Sequence, residues 1–227
     1  MKPRKIYGSK ANMYILLSIA VVVFLIGIAR DIVGAITASS YAQAYILIAD
    51  AVLCVIYLFA SITIMIRSPK NIGRTLLIAV GICAAISGLS GAIINIWNEA
   101  ALLAVRRYDD SISMADITYP IISAAFSVIQ LGVSVMGLIL IDHKPKATAI
   151  ITLISYAIVT ISNVMNLIAC FISGGALLTV VYYLTVVYYL SAIFLDIAIV
   201  VVPILALAKK PYDVDPEVLA EKEDWEK

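Results

Sequence analysis

Six apolar runs, each long enough to cross a lipid bilayer, leave this chain almost no way to fold in water. They cover Met13–Ile36, Tyr45–Ile66, Thr75–Leu103, Ile117–Ile141, Ala147–Ile172 and Ala176–Ala208. A hydrocarbon core about 30 Å thick is crossed by about 20 helical residues rising about 1.5 Å each. The runs are rich in Val, Ile and Thr, which in water favour strands. In lipid the backbone must satisfy its own hydrogen bonds, so helix prevails. Spanning strands need about ten residues of alternating polarity, and these runs are continuous. With 63% hydrophobic and 14% charged residues, a 227-residue domain could not cover a water-facing surface. The expected fold is all-α: a polytopic six-transmembrane-helix bundle. Ahead of the first run stand Lys2, Arg4, Lys5 and Lys10, and Ala42-Gln43-Ala44 follows it, the outline of a secretory signal. The run is too long for one and Arg30-Asp31 interrupts it, so it is read as a span.

The connections alternate in charge. The N-terminus carries four basic residues, and the second connection carries Arg67, Lys70 and Arg74. The fourth carries Lys144 and Lys146, and the tail Lys209, Lys210, Lys222 and Lys227, which makes thirteen of the sixteen Lys and Arg. The first and fifth connections have none, and in the third Arg106 and Arg107 are offset by Asp109, Asp110 and Asp116. The positive-inside rule then places both termini in the cytoplasm, after an even number of spans. Short connections make consecutive helices antiparallel neighbours, giving three hairpins.

This divides the chain into a basic cytoplasmic N-terminus (1–12), a six-helix domain (13–208) and an acidic cytoplasmic tail (209–227). The tail holds seven acids and could form a short polar helix from Pro216, either as a solvated end or as a docking site. Each even run ends in a basic, proline-containing stop, at Pro69, Pro145 and Pro211. A threefold hairpin repeat explains this, and so does the common need of any exiting helix for an anchor.

Small residues four apart in the third run (Gly81/Ala85, Ala84/Gly88, Ser87/Gly91) allow another helix to approach closely and suggest a central helix. Gly88-Leu89-Ser90-Gly91 resembles the nucleophile motif of rhomboid intramembrane proteases, which need a histidine on another helix. The one histidine, His143, sits at the inner exit of the fourth run, far in depth from Ser90, so this reading fails. In the sixth run Val180–Leu184 is repeated as Val186–Leu190. A six-residue step turns a helix by about 240° net, so Tyr182-Tyr183 and Tyr188-Tyr189 do not stack on one face. The deeper pair serves packing or lines a cavity, and its hydroxyls need partners. The sixth run is too long to cross upright, so Pro203 kinks it or its outer end projects.

Polar groups inside spans are costly and face protein or water. Arg30, Asp50, Asn95, Asn98, Glu99, Asn163 and Asn166 come from four helices and share the outer third of the bilayer, as an outward-facing ligand pocket would require. Each also has a plain alternative: Arg30 can snorkel with Asp31 solvated beside it, and the asparagines can bridge helices. Asp50, a lone carboxylate below the interface, must protonate or find a cation, and an Arg30–Asp50 ion pair or a water shared between them is expected. Deeper lie Gln130 and Asp196, candidates for proton or ion coupling. Asp196 could equally be a protonated acid bonded to a neighbouring helix.

Catalytic chemistry is poorly supplied. A single histidine excludes bis-histidine haem ligation and argues against zinc, and no phosphate-binding glycine loop is present. Cys54, Cys83 and Cys170 have no metal or redox spacing and read as buried small hydrophobes. No cofactor, metal or nucleic acid is expected; the lipid bilayer is the partner, with a membrane or cytosolic protein as a candidate second one. The leading expectation is a small-solute transport or solute-binding subunit of a prokaryotic cytoplasmic membrane. The rival is a non-catalytic membrane subunit or assembly factor acting through helix contacts and the tail.

Overall fold

Among the described residues there are six helices: α1 (Lys10–Thr37), α2 (Tyr41–Arg67), α3 (Ile72–Arg106), α4 (Met114–Leu140), α5 (Pro145–Ser173) and α6 (Val180–Ala208). The computed structural model describes residues 4–6, 8–38, 41–67, 69–106, 114–173, 180–208 and 212–213. All six helices are long and apolar enough to cross a membrane. The third and fifth connections and most of the tail, with its expected helix from Pro216, lie outside the described residues. The helices start and stop within a few residues of the apolar runs, and α6 continues through a buried Pro203.

Turn chemistry sets the boundaries. Asn71 precedes α3, and its Oδ1 accepts from the Arg74 amide at 3.3 Å, capping the helix start. Pro145 opens α5, where a first-turn amide would be unsatisfied anyway. Between α4 and α5 the amides of His143 and Lys144 both return to the Leu140 carbonyl.

Inward faces repeat every three or four residues. On α1 the buried set is Met13, Leu16, Leu17, Ala20, Val23, Gly27, Asp31 and Gly34. α1 packs most extensively on α2, α3 on α4 and α5 on α6, while α4 also packs on α5 and α1 on α6. The large side chains left outside, such as Ile36, Phe59, Ile66 and Phe194, would face water in a soluble fold. Around a membrane bundle they face acyl chains.

Small residues set the closest approaches. A Cβ built on Gly88 of α3 would lie 2.8 Å from the Leu131 amide nitrogen and 2.9 Å from the Ser127 carbonyl oxygen of α4. A Cβ on Gly91 would meet Ser127 Oγ, and one on Gly81 would meet Leu138. The small-residue face of α3 is therefore a seam with α4, and α3 touches α5 and α6 only lightly.

Two features place the ends. A two-residue antiparallel pair joins β1 (Arg4–Lys5) to β2 (Tyr212–Asp213), with Arg4 opposite Asp213. The segments flanking the bundle therefore meet at one end of it. There Asn71 Oδ1 also accepts from the Ile6 amide at 3.1 Å, and a Cβ on Gly8 would collide with the Gly73 backbone at 2.6 Å. Arg74 clasps Asp142 with a two-bond fork, Nε to Oδ1 at 2.8 Å and Nη2 to Oδ2 at 3.0 Å. The main apolar core lies toward this same end: Ile6, Met13, Leu16, Leu17, Leu76, Leu77, Ala149 and Val202 belong to it, and α2 adds no fully buried member.

Candidate functional site

Beyond that core, toward the end away from the termini, the buried faces of α1, α2 and α6 turn polar. Contacts between α1 and α2 fix their register. Gly34 meets Leu47, Gly27 meets Cys54, and the Phe24 and Tyr57 rings lie 5.4 Å apart. Each step back along α1, seven residues and then three, is matched by an equal step forward along α2. The helices are thus antiparallel without slip, and Asp31, three before Gly34, falls opposite Asp50, three after Leu47.

Arg30 turns to Asp31 rather than to Asp50. Its Nε donates to Asp31 Oδ1 at 2.6 Å, and Nη2 reaches the same oxygen. The guanidinium lies over the Tyr188 ring of α6, 4.0 Å from its centroid, with Tyr189 further off at 6.0 Å. Among the described residues no hydrogen bond or ion pair joins Arg30 to Asp50, which corrects the expected pair. Asp50 is half-buried and remains within electrostatic reach of both Arg30 and Asp31. The physical reason is proximity: the adjacent carboxylate is reached without crossing to another helix. Asp31 is also not solvated, since its side chain is 0% exposed. Among the described residues its Oδ2 has no hydrogen-bond partner, and neither does the buried hydroxyl of Tyr57.

A second polar group joins α5 to α6. Asn163 Nδ2 donates to Asp196 Oδ2 at 2.8 Å, while the Thr160 hydroxyl one turn earlier donates to the Tyr156 carbonyl of its own helix. Asp196 is 5% exposed. Asn163 thus belongs with the deeper acid. Counting about 1.5 Å per residue from the helix ends gives Asn163 about 27 Å and Asp196 about 18 Å. Their contact means that α5 and α6 do not start level.

The other expected site residues are dispersed. Gln130 bridges α4 to α3, its Nε2 donating to the Ala84 carbonyl at 2.9 Å beside the Gly88 crossing. Asn95 turns back on its own helix, to the Gly91 carbonyl at 2.7 Å. Asn166 is half-buried on α5. The side chains of Asn98 and Glu99 lie outside the described residues. Ser90 donates to the Ser87 carbonyl, as an ordinary helix serine does.

A polar seam went unread in the sequence. Thr148, Thr152, Ser155, Tyr156, Thr160 and Asn163 recur every three or four residues along the inward stripe of α5. Ser155 bonds Ser134 of α4 at 2.7 Å, Thr148 donates to the Gly137 carbonyl, and Tyr156 reaches the Val80 carbonyl of α3 at 3.2 Å. The period was available, but each hydroxyl reads as neutral alone. Among the described residues, no group of three or more His, Cys, Asp or Glu is placed to hold a metal ion. A mainly apolar cavity of about 120 Å³ sits beside the termini between α1, α3 and α6, against Leu16, Leu76 and Val202.

No family model, curated protein or solved structure matches the chain.

Proposed function

We propose that the chain is a small-solute transport or solute-binding subunit of a cytoplasmic membrane, with an outward-facing polar pocket. In this reading the bundle is three antiparallel hairpins with both ends in the cytoplasm, as the basic connections require. The observation that carries it is the division of the interior. Apolar packing, the β1–β2 pair and the Arg74–Asp142 fork close the end beside the termini, while the opposite half holds a fully buried Asp31 with the half-buried Arg30 and Asp50. Charges inside a bilayer cost several kcal/mol each unless a ligand path or partner repays them, so their confinement to one half points to solute entry from outside.

Arg30, Asp50 and Asn166 line the entry in this reading, and Asp196, held by Asn163, serves as the coupling acid below it. Gln130 acts as a helix bridge beside that path. The test is uptake of a panel of small solutes into proteoliposomes, with solute-dependent thermal stabilisation of the purified chain alongside. Accumulation of at least one solute, reduced in Asp50→Asn and Asp196→Asn variants that keep the native far-UV signal, supports the reading. A chain that neither accumulates nor is stabilised by any solute defeats it.

A further inference from the structure

The buried ion pair at the far half is incomplete, and its incompleteness identifies a ligand class. Arg–carboxylate pairs usually engage both carboxylate oxygens in a parallel fork. This chain makes such a fork at its other end, between Arg74 and Asp142. At Asp31, which is wholly buried, both Arg30 nitrogens fall on Oδ1, and Oδ2 is left without a donor among the described residues. The α1–α2 register sets Asp50 opposite Asp31, and electrostatic coupling links the two carboxylates. One guanidinium balances one carboxylate, so the ionised cluster carries a net charge of −1 in a low-dielectric interior. Tyr57, seven residues beyond Asp50 on the same face of α2, adds a buried hydroxyl that also lacks a partner among the described residues. Tyr188 packs against Gly27 and lies under Arg30, holding the guanidinium in place.

We propose that Asp31 Oδ2 and the Asp50 carboxylate, supported by the Tyr57 hydroxyl, form a site for one small monovalent cation between α1 and α2. The donors are hard oxygens, which suit an alkali ion or an ammonium group. The net charge of −1 fits a single positive charge, and an anionic solute would meet two carboxylates for one arginine. This deepens the transport reading by naming the ion class taken at the outer half, although the geometry of the site does not depend on transport.

The experiment uses the full chain purified in detergent, at fixed pH and fixed ionic strength, with N-methylglucamine chloride replaced by sodium, potassium or methylammonium chloride. Ligands that bind only the folded state raise the midpoint temperature in a saturable way. The wild-type chain should show this rise with at least one of the three cations, and their order separates an alkali ion from an amine. Asp31→Asn and Asp50→Asn should each raise the half-saturating concentration by about tenfold or more. Asp142→Asn, outside the site, should not. Asp50→Asn leaves the Arg30–Asp31 pair intact, and equilibrium binding of radiolabelled sodium or methylammonium to the wild-type chain reads the site without any variant. No saturable response to any of the three overturns the proposal and leaves a proton as the occupant. An undiminished response in both variants overturns it as well. Solute uptake or solute-dependent stabilisation without a cation response removes this site alone, whereas a cation response with neither uptake nor stabilisation by any other solute removes the transport reading alone.

Discussion

Replacing Gly88 by alanine should be among the most damaging single-methyl changes in the bundle. The added Cβ would stand 2.8 Å from the Leu131 amide nitrogen and 2.9 Å from the Ser127 carbonyl oxygen. Both are main-chain atoms, so no side chain can rotate away. Ordinary contact is about 3.5 Å, and α3 and α4 must therefore part by about 0.7 Å. Overpacking of this kind costs about 1–3 kcal/mol. The same movement stretches the Gln130 bond to the Ala84 carbonyl from 2.9 Å toward about 3.6 Å, beyond hydrogen-bonding range. An interhelical bond in a bilayer is worth about 0.6–1.7 kcal/mol, so the total loss is about 2–5 kcal/mol. Gly132 is an internal control on α4: a Cβ there meets nothing within 4 Å. Gly132→Ala should be neutral or gain up to about 1 kcal/mol. Reversible unfolding in mixed micelles titrated with a denaturing detergent measures both. If Gly88→Ala is as stable as Gly132→Ala, the close crossing of α3 and α4 is wrong.

Asn163→Leu removes the donor to Asp196 and should destabilise by about 1–3 kcal/mol, with most of the loss recovered when Asp196 is also made leucine. Additive losses in that double-mutant cycle would contradict the bond. A second cycle should find Arg30→Gln strongly coupled to Asp31→Asn and weakly to Asp50→Asn, and the reverse order would restore the pairing expected from sequence. At the terminal end, hydrogen bonds from Arg74 hold the Asp142 carboxyl below the usual carboxylate range. A lowered folded-state value means that this contribution is complete above about pH 4 and is lost as pH falls through the folded value. Because the pair is partly exposed, at 31% and 42%, its effect stays below about 1 kcal/mol. The acid limb of a stability–pH profile should flatten slightly in Asp142→Asn, and an unchanged limb would count against the fork.

The six helices were legible because lipid imposes a length and a composition on every crossing. Which polar groups would meet was not. A solvated Asp31 is an open alternative in the sequence because Arg30 adjoins it near the helix end. The helical phase of α1 carried the opposite message: Gly27 and Gly34 stand four before and three after Asp31, so the carboxylate lies on the face that α2 and α6 cover. Depth counting placed Arg30, Asp50 and Asn163 together because it assumed level, upright helices. The stagger of α5 against α6 moves Asn163 to Asp196, and stagger is a property of packing that one segment's composition does not encode. Tyr188 showed the same limit, since its duplication was visible and its role under Arg30 depended on the α1–α6 contact.

The most direct test of an outward-facing polar half is the sidedness of position 50. In a chain whose Cys54, Cys83 and Cys170 are replaced by alanine, Asp50→Cys is exposed to a membrane-impermeant thiol reagent in sealed vesicles of each orientation. The proposal predicts modification from the face opposite the termini and none from the face that bears them. Modification from the terminal face, or from neither, would contradict it.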